Sequence, residues 1–267
     1  MRRRVPRSLA VFTALCFAFL HVPVLVLAVF SFNHSRFSVR WTGFSLEWYR
    51  RLVERPDILA ALRVSLVVGV LSTLVATALG TLIALALARG RFRGRTVMEG
   101  LLYMPLVSPE IVVGISLLLL FATLRLALGI PTIVIAHVAF SISFVAVVVR
   151  ARLEGMDRAL EEAALTLGAD EAATFRRVTL PLLWPGILAG ALLAFTMSID
   201  DFVITFFVSG PGSTTLPVLI YSMARRTIEP TINAVSTVMV LVTTVLIYFF
   251  DRLTRERASA EGTRERA

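Results

Sequence analysis

The chain has 267 residues, 57% of them hydrophobic, and a mean hydropathy of +0.82, above the roughly 45–50% apolar content of soluble domains. Its net charge of +9 rests on 27 basic residues, all of them arginine; a chain without lysine has neither a Walker A phosphate loop nor a Schiff-base lysine. The single cysteine, Cys16, excludes an intrachain disulfide framework and reads as a small apolar residue, while His21, His34 and His137 stand far apart with no HExxH pattern, which excludes a helical zinc-protease site.

In chain order, six stretches reach the length of about 20 mostly apolar residues that a membrane-spanning helix needs. They are roughly 9–32, 64–88, 106–124, 130–149, 186–208 and 232–250. Open sheet edges are not tolerated in lipid, so the expected fold is an all-α polytopic membrane protein with six transmembrane helices. The first stretch follows Arg2, Arg3, Arg4 and Arg7. Its apolar region is too long for a secretory signal, and it reads as a retained helix. The expected organisation is an N-terminal tail over 1–8, a membrane domain over 9–250 and a C-terminal tail over 251–267. That last tail is charged, poor in apolar residues and expected to be disordered. With the N-terminus inside, eighteen arginines fall in the cytoplasmic segments and nine on the other side. The positive-inside rule then places both termini in the cytoplasm.

The first outer loop is the exception, because it is itself rich in arginine. It reads as a short interfacial helix with Ser45 at its N-cap and Leu46, Trp48, Tyr49, Leu52 and Val53 on an apolar side. The second span carries small residues four apart, Ser72, Ala76, Gly80, Ala84 and Ala88. Such a stripe lets backbones approach closely, either within the chain or at a partner subunit. At the third span, Ser108-Pro109 reads as a helix start with proline in the first position. Glu110 would then lie in the first turn, where the helix dipole favours it. The alternative puts Glu110 on a cation path. Pro105 and Pro109 also mark a kink or break.

The loop between the fourth and fifth spans, MDRALEEAALTLGADEAATFRRVTLPLLWPG over 156–186, is the most informative segment. Asp157 reads as an N-cap and Arg158–Leu167 as helix. Gly168 reads as a left-handed C-terminal cap, and Asp170 as the cap of a second short helix ending near Val178. Pro181 and Pro185 are expected to stop that helix. The product is a helix–glycine–helix elbow. Ala163, Ala164, Leu165 and Leu167 form an apolar knob; Arg158, Glu161, Glu162, Arg176 and Arg177 form a charged rim.

Glu162-Ala163-Ala164, Gly168, Val178 and Leu180-Pro181 stand at the spacings of the EAA loop of ABC-importer permeases, with Val178 in place of isoleucine. The chain resembles that superfamily. The segments 104–121, 195–223 and 230–242 look like the inner-membrane permeases of spermidine/putrescine importers, a likeness covering most of 44–250. The resemblance implies that the loop is a coupling helix seated on an ATP-binding-cassette ATPase, with Glu162, Ala163, Ala164, Leu167, Gly168, Leu180 and Pro181 as the coupling residues. It also implies a bacterial inner-membrane transport subunit without an ATPase site of its own, ATP being bound by a partner ATPase dimer. The further partners implied are a second permease, an extracytoplasmic solute-binding protein and membrane lipid. No nucleic-acid partner, metal or resident cofactor is expected.

A polyamine carries protonated amines, and intramembrane acids demand an explanation. Asp200 and Asp201 are expected within the fifth helix, toward the outer leaflet. Adjacent helix residues point about 100° apart. The two therefore cannot share a proton as an aspartyl protease pair does. The substrate-path candidates are Asp200, Asp201, Glu110, Phe202 and Phe206, with Phe207 as an additional aromatic. The competing reading pairs the aspartates with Arg125, Arg225 or Arg226, or with loop backbone. Tyr221 and Met223 lie beyond the Ser209–Gly212 turn, in an outer loop or at a contact with the binding protein. The alternative solute is another small cation or an amino-acid-like molecule, and two further functions fit less well. A membrane hydrolase needs convergent catalytic groups that the scattered histidines do not suggest. A stand-alone carrier needs no elbow.

Overall fold

The computed structural model describes residues 7–35, 40–90, 92–226 and 230–264. Arg2, Arg3, Arg4, Arg36, Arg91 and Arg266, counted above for orientation, lie outside the described residues, as does the side chain of Arg226. The fold is helical: α1 (Arg7–Phe30), α2 (Glu47–Glu54), α3 (Pro56–Arg89), α4 (Arg95–Val107), α5 (Glu110–Thr123), α6 (Ile130–Glu154), α7 (Ala159–Thr166), α8 (Glu171–Thr174), α9 (Leu180–Asp200), α10 (Val203–Val208), α11 (Leu216–Arg226) and α12 (Pro230–Arg264). Among the described residues, five helices are long and apolar enough to cross a membrane. The pair α4–α5 brings the number to six if it is one span bent by 114°.

The chain divides into two compact units, 1–60 with 219–242 and 61–218 with 243–267. In the first unit, α1 keeps Leu9 through Leu25 exposed, as suits a helix solvated by lipid. The chain after α1 folds back in a single antiparallel bridge between Asn33 and Phe44. Asn33 holds that turn, with its Nδ2 donating to Arg40 O at 2.8 Å and its Oδ1 accepting from Thr42 N at 2.9 Å. Trp48 Nε1 donates to Asn33 O at 2.7 Å, and Phe32 stacks on both Phe44 and Tyr49. The amphipathic helix expected here is α2, burying Trp48 and Leu52. Leu46 and Val53 stay exposed. The cap position is Leu46 rather than Ser45, although Ser45 Oγ accepts from Glu47 N.

In the second unit, α6 lies at the centre. Val145, Val149 and Leu153 of α6 form one core with Ala76 and Ala84 of α3 and with Leu183, Ile187 and Ala194 of α9. The small-residue stripe of α3 is therefore internal packing. A methyl group on Gly80 would lie 2.8 Å from Val145 Cβ and 3.0 Å from Ile142 O, so only glycine permits this approach. A second core joins Val68, Phe121, Ile133, Phe140, Ile204 and Val208, from α3, α5, α6 and α10.

Four expectations are corrected. The third span is not one helix over 106–124. Ser108 is extended (φ −74°, ψ 136°) before Pro109, as the ring of a following proline requires. The chain bends there, with Pro109 at the cap of α5 and Glu110 the first helical residue. The fifth span is not one helix over 186–208. It ends at Asp200, and Asp201 is extended (φ −66°, ψ 123°) before the short α10. Pro181 and Pro185 do not stop a helix either. Helical backbone continues from Glu171 to Asp200 through a π-turn at Phe175–Thr179. That wider turn, in which Leu180 N donates to Phe175 O, carries the mismatch created by the missing N–H of Pro181. The stretch expected to be disordered after Arg252 continues α12 as helical backbone to Arg264.

Candidate functional site

Two parts of the second unit carry the predicted residues. The first is the elbow. None of the eight residues of α7 is buried. Glu162, Ala163 and Leu165 are exposed, Ala164 is half-buried, and Leu167 is 88% exposed. A leucine so placed serves packing only when a partner covers it. The bend after α7 is a Schellman motif, with Ala169 N donating to Ala164 O at 3.1 Å and Gly168 N to Leu165 O at 3.0 Å. Gly168 has φ +90°, in the left-handed region that glycine occupies without strain. Asp170 Oδ1 then accepts from Ala173 N at 2.6 Å, as a cap should. Asp157 Oδ1 likewise accepts from Ala159 N at 2.9 Å, one residue before the cap position at Arg158. Leu180 packs against the α6–α9 core, and Pro181 is exposed at the start of α9.

Glu161 is not part of the charged rim. It turns inward, pairing with Arg89 at the end of α3 and accepting from the buried Thr179 hydroxyl at 2.6 Å. Arg150 pairs with Glu99 of α4 at 3.1 Å and with Glu154 at 2.8 Å. Arg89, Arg150, Glu154 and Glu161 line a cavity of about 540 Å³ beside α7, together with Arg95, Asp157 and Arg158.

The second part is the break between α9 and α10. Asp201 caps α10: its Oδ2 accepts from Thr205 N at 2.8 Å and from Thr205 Oγ1 at 2.7 Å, and its Oδ1 accepts from Ile204 N at 3.3 Å. His137 of α6, only 2% exposed, approaches the same carboxylate with Nε2 at 3.2 Å. Among the described residues of the second unit, no ion pair joins Asp201 to Arg125. In the first unit, Arg225 lies over the Tyr221 ring, 5.5 Å from its centroid, and Met223 is buried. Asp200 is exposed. Phe202 and Phe206 pack on each other with ring centroids 5.5 Å apart. Glu110, exposed at the first turn of α5, does not enter the His137–Asp201 cluster. Among the described residues, no three of His, Cys, Asp and Glu converge as a metal site.

His137, Ser198 and Thr205 were missed as functional residues. The available signal was cost: a histidine in the middle of an apolar span must find a partner.

The model for the family of binding-protein-dependent transport system inner membrane components matches residues 76–257. The chain belongs to that family. The permease is 40% identical over 246 residues to the spermidine/putrescine transport system permease protein PotC of Escherichia coli (strain K12), covering 92% of this chain and 93% of the relative. It is 43% identical over 230 residues to the putrescine transport system permease protein PotI of the same organism, covering 84% and 82%. Its fold matches a bacterial ABC transporter involved in the import of the acidic polysaccharide alginate, with a TM-score of 0.70 at 16% identity over 93% of this chain and 94% of that one. The permease is thus a multi-pass protein of the bacterial inner membrane and a membrane subunit of an ABC importer.

Proposed function

We propose that this permease passes a spermidine- or putrescine-like polyamine across the inner membrane by alternating access, driven by a separate ATPase. The observation that carries the reading is the 40% identity to a spermidine/putrescine permease over nearly the whole of both chains. The exposed carboxylate of Asp200, two residues before Phe202 of a phenylalanine pair, supports it, since a carboxylate offsets the desolvation of an ammonium group and aromatic faces attract cations. Asp201, Glu110, Phe202 and Phe206 complete the proposed path.

The α7–Gly168–α8 elbow is the proposed handle for the ATPase. Leu167 and Ala163 form its apolar contact, Glu162 its polar one, and Leu180 and Pro181 carry its movement into α9. ATP binds to the partner ATPase dimer and not to this chain, which itself performs no chemistry. A second permease completes the path, and an extracytoplasmic binding protein delivers the solute. Both termini lie in the cytoplasm, on the side of the elbow.

The test is the ATPase activity of the reconstituted complex with its binding protein. Putrescine or spermidine added to the binding protein raises ATP turnover. Stimulation by an unrelated solute, with none by either polyamine, would discard the polyamine reading.

A further inference from the structure

His137 is the eighth residue of α6, with both ring nitrogens engaged. Its Nδ1 is 2.6 Å from Ser198 Oγ, and its Nε2 is 2.9 Å from Thr205 Oγ1 and 3.2 Å from Asp201 Oδ2. One proton can be assigned by elimination. Thr205 uses its only hydroxyl proton on Asp201 Oδ2, so its oxygen accepts from Nε2–H of His137. Nδ1 shares the second bond with Ser198 Oγ, which also meets Ser72 Oγ at 3.1 Å. A continuous polar ladder, Ser72–Ser198–His137–Thr205–Asp201, thereby joins α3, α9, α6 and α10. It ends where α9 stops.

The ladder separates the two aspartates. Asp201 is surrounded by donors from His137, Thr205 and Ile204, and its oxygens are committed to holding the break. Asp200 is exposed, and among the described residues its carboxylate makes no hydrogen bond or ion pair. α10 has six residues, too few to persist without capping and packing. The conformation of the break therefore depends on Asp201 keeping its place. Asp201 in turn depends on His137, the one donor to it among the described residues that lies outside α10.

We propose that His137 is a positioning residue for transport: it fixes the Asp201 carboxylate and the α9–α10 break, so that Asp200 is the carboxylate presented to the ammonium groups of the solute. This rests on the polyamine reading above.

The test is the number of putrescine molecules transported per ATP hydrolysed, measured in proteoliposomes containing the whole importer and its loaded binding protein. That ratio is insensitive to the amount of complex, so a loss of folded protein alone does not move it. His137→Ala and Asp200→Asn each lower the ratio about tenfold, the scale of one charge-assisted hydrogen bond. The double variant is no lower than either single one, because both changes act on the same contact. His137→Gln, which returns a donor toward Asp201, recovers most of the ratio. Should His137→Ala fail to assemble, Thr205→Val carries the same expectation, since it removes two bonds of the ladder at nearly constant volume.

An unchanged ratio in His137→Ala or Thr205→Val, or losses that add in the double variant, would overturn the positioning role while leaving the polyamine reading in place. Absence of putrescine uptake by the parent complex would overturn both.

Discussion

At the scale of single residues, Glu161 has the clearest structural assignment. It joins α7 to Arg89 of α3 and to Thr179 in the π-turn, so a displacement of the elbow reaches two further elements through one carboxylate. Glu161→Gln removes the charge and keeps a polar group for Thr179. ATP-driven uptake falls about fivefold, in line with the roughly 1 kcal/mol of a half-exposed ion pair. Arg89→Gln gives a similar loss, and the double variant is no worse than either single change. Additive losses, measured as uptake per complex, would show that the two residues act separately. Asp201 offers a second prediction. Asp201→Asn exchanges an acceptor-only group for one that also brings donors toward His137 Nε2–H and Thr205 N. Uptake drops about tenfold, while the ATPase still co-purifies with the permease. Parent-level uptake would show that the cap on α10 does not require a charge.

At the scale of elements, the elbow and the α3–α6 contact make opposite demands on glycine. Gly168 is exposed with open space around its Cα, and its φ of +90° is the constraint. Gly168→Asp strains the Schellman bend by about 1–2 kcal/mol and adds a charge to the docking surface. It abolishes ATP-driven uptake while the protein stays in the membrane at parent abundance; unimpaired uptake would contradict the coupling role. Gly80 is limited by space instead. Gly80→Leu forces α3 away from Val145, costing about 1–3 kcal/mol as overpacking does. It lowers the thermal midpoint of the purified complex, and an unchanged midpoint would show that the contact can repack.

The elements differ in how well the sequence revealed them. The elbow's bend was legible, because Gly168 and Asp170 act through local backbone chemistry that adjacent residues specify, whereas the inward turn of Glu161 and the continuation past Pro181 were not. The spans were legible as apolar runs. Their interruptions were legible only in part. The α4–α5 break carries two prolines and a serine, and a kink there was foreseen. The α9–α10 break has no proline or glycine, and the apolar Phe202–Val208 run conceals it. What ends α9 is the bonding of Asp201 to groups four residues on and 64 residues back. The histidines look scattered along the chain, yet His137 meets Ser198, Asp201 and Thr205 in space. The same limit explains the π-turn. Pro181 reads as a stop signal, and only the widened turn before it lets the helix continue.

At the scale of the whole molecule, the composition, the bundle around α6 and the family relationship agree on a membrane subunit of an ABC importer. In the second unit, the elbow and the His137–Asp201 break attach to the same helix pair, α6 and α9. The elbow continues into α9 through the π-turn, and the break lies at the other end of α9. A helix of 21 residues with the proposed docking surface at one end and a carboxylate at the other is suited to transmitting a stroke along its length. The central claim is that this stroke moves a polyamine. Its most direct test is uptake of labelled putrescine and spermidine by the complete importer in proteoliposomes, with and without ATP and with an unrelated cation as competitor. The account predicts saturable, ATP-dependent uptake of a polyamine that the unrelated cation does not displace. ATP-dependent uptake of the competing cation, with no accumulation of either polyamine, would contradict it.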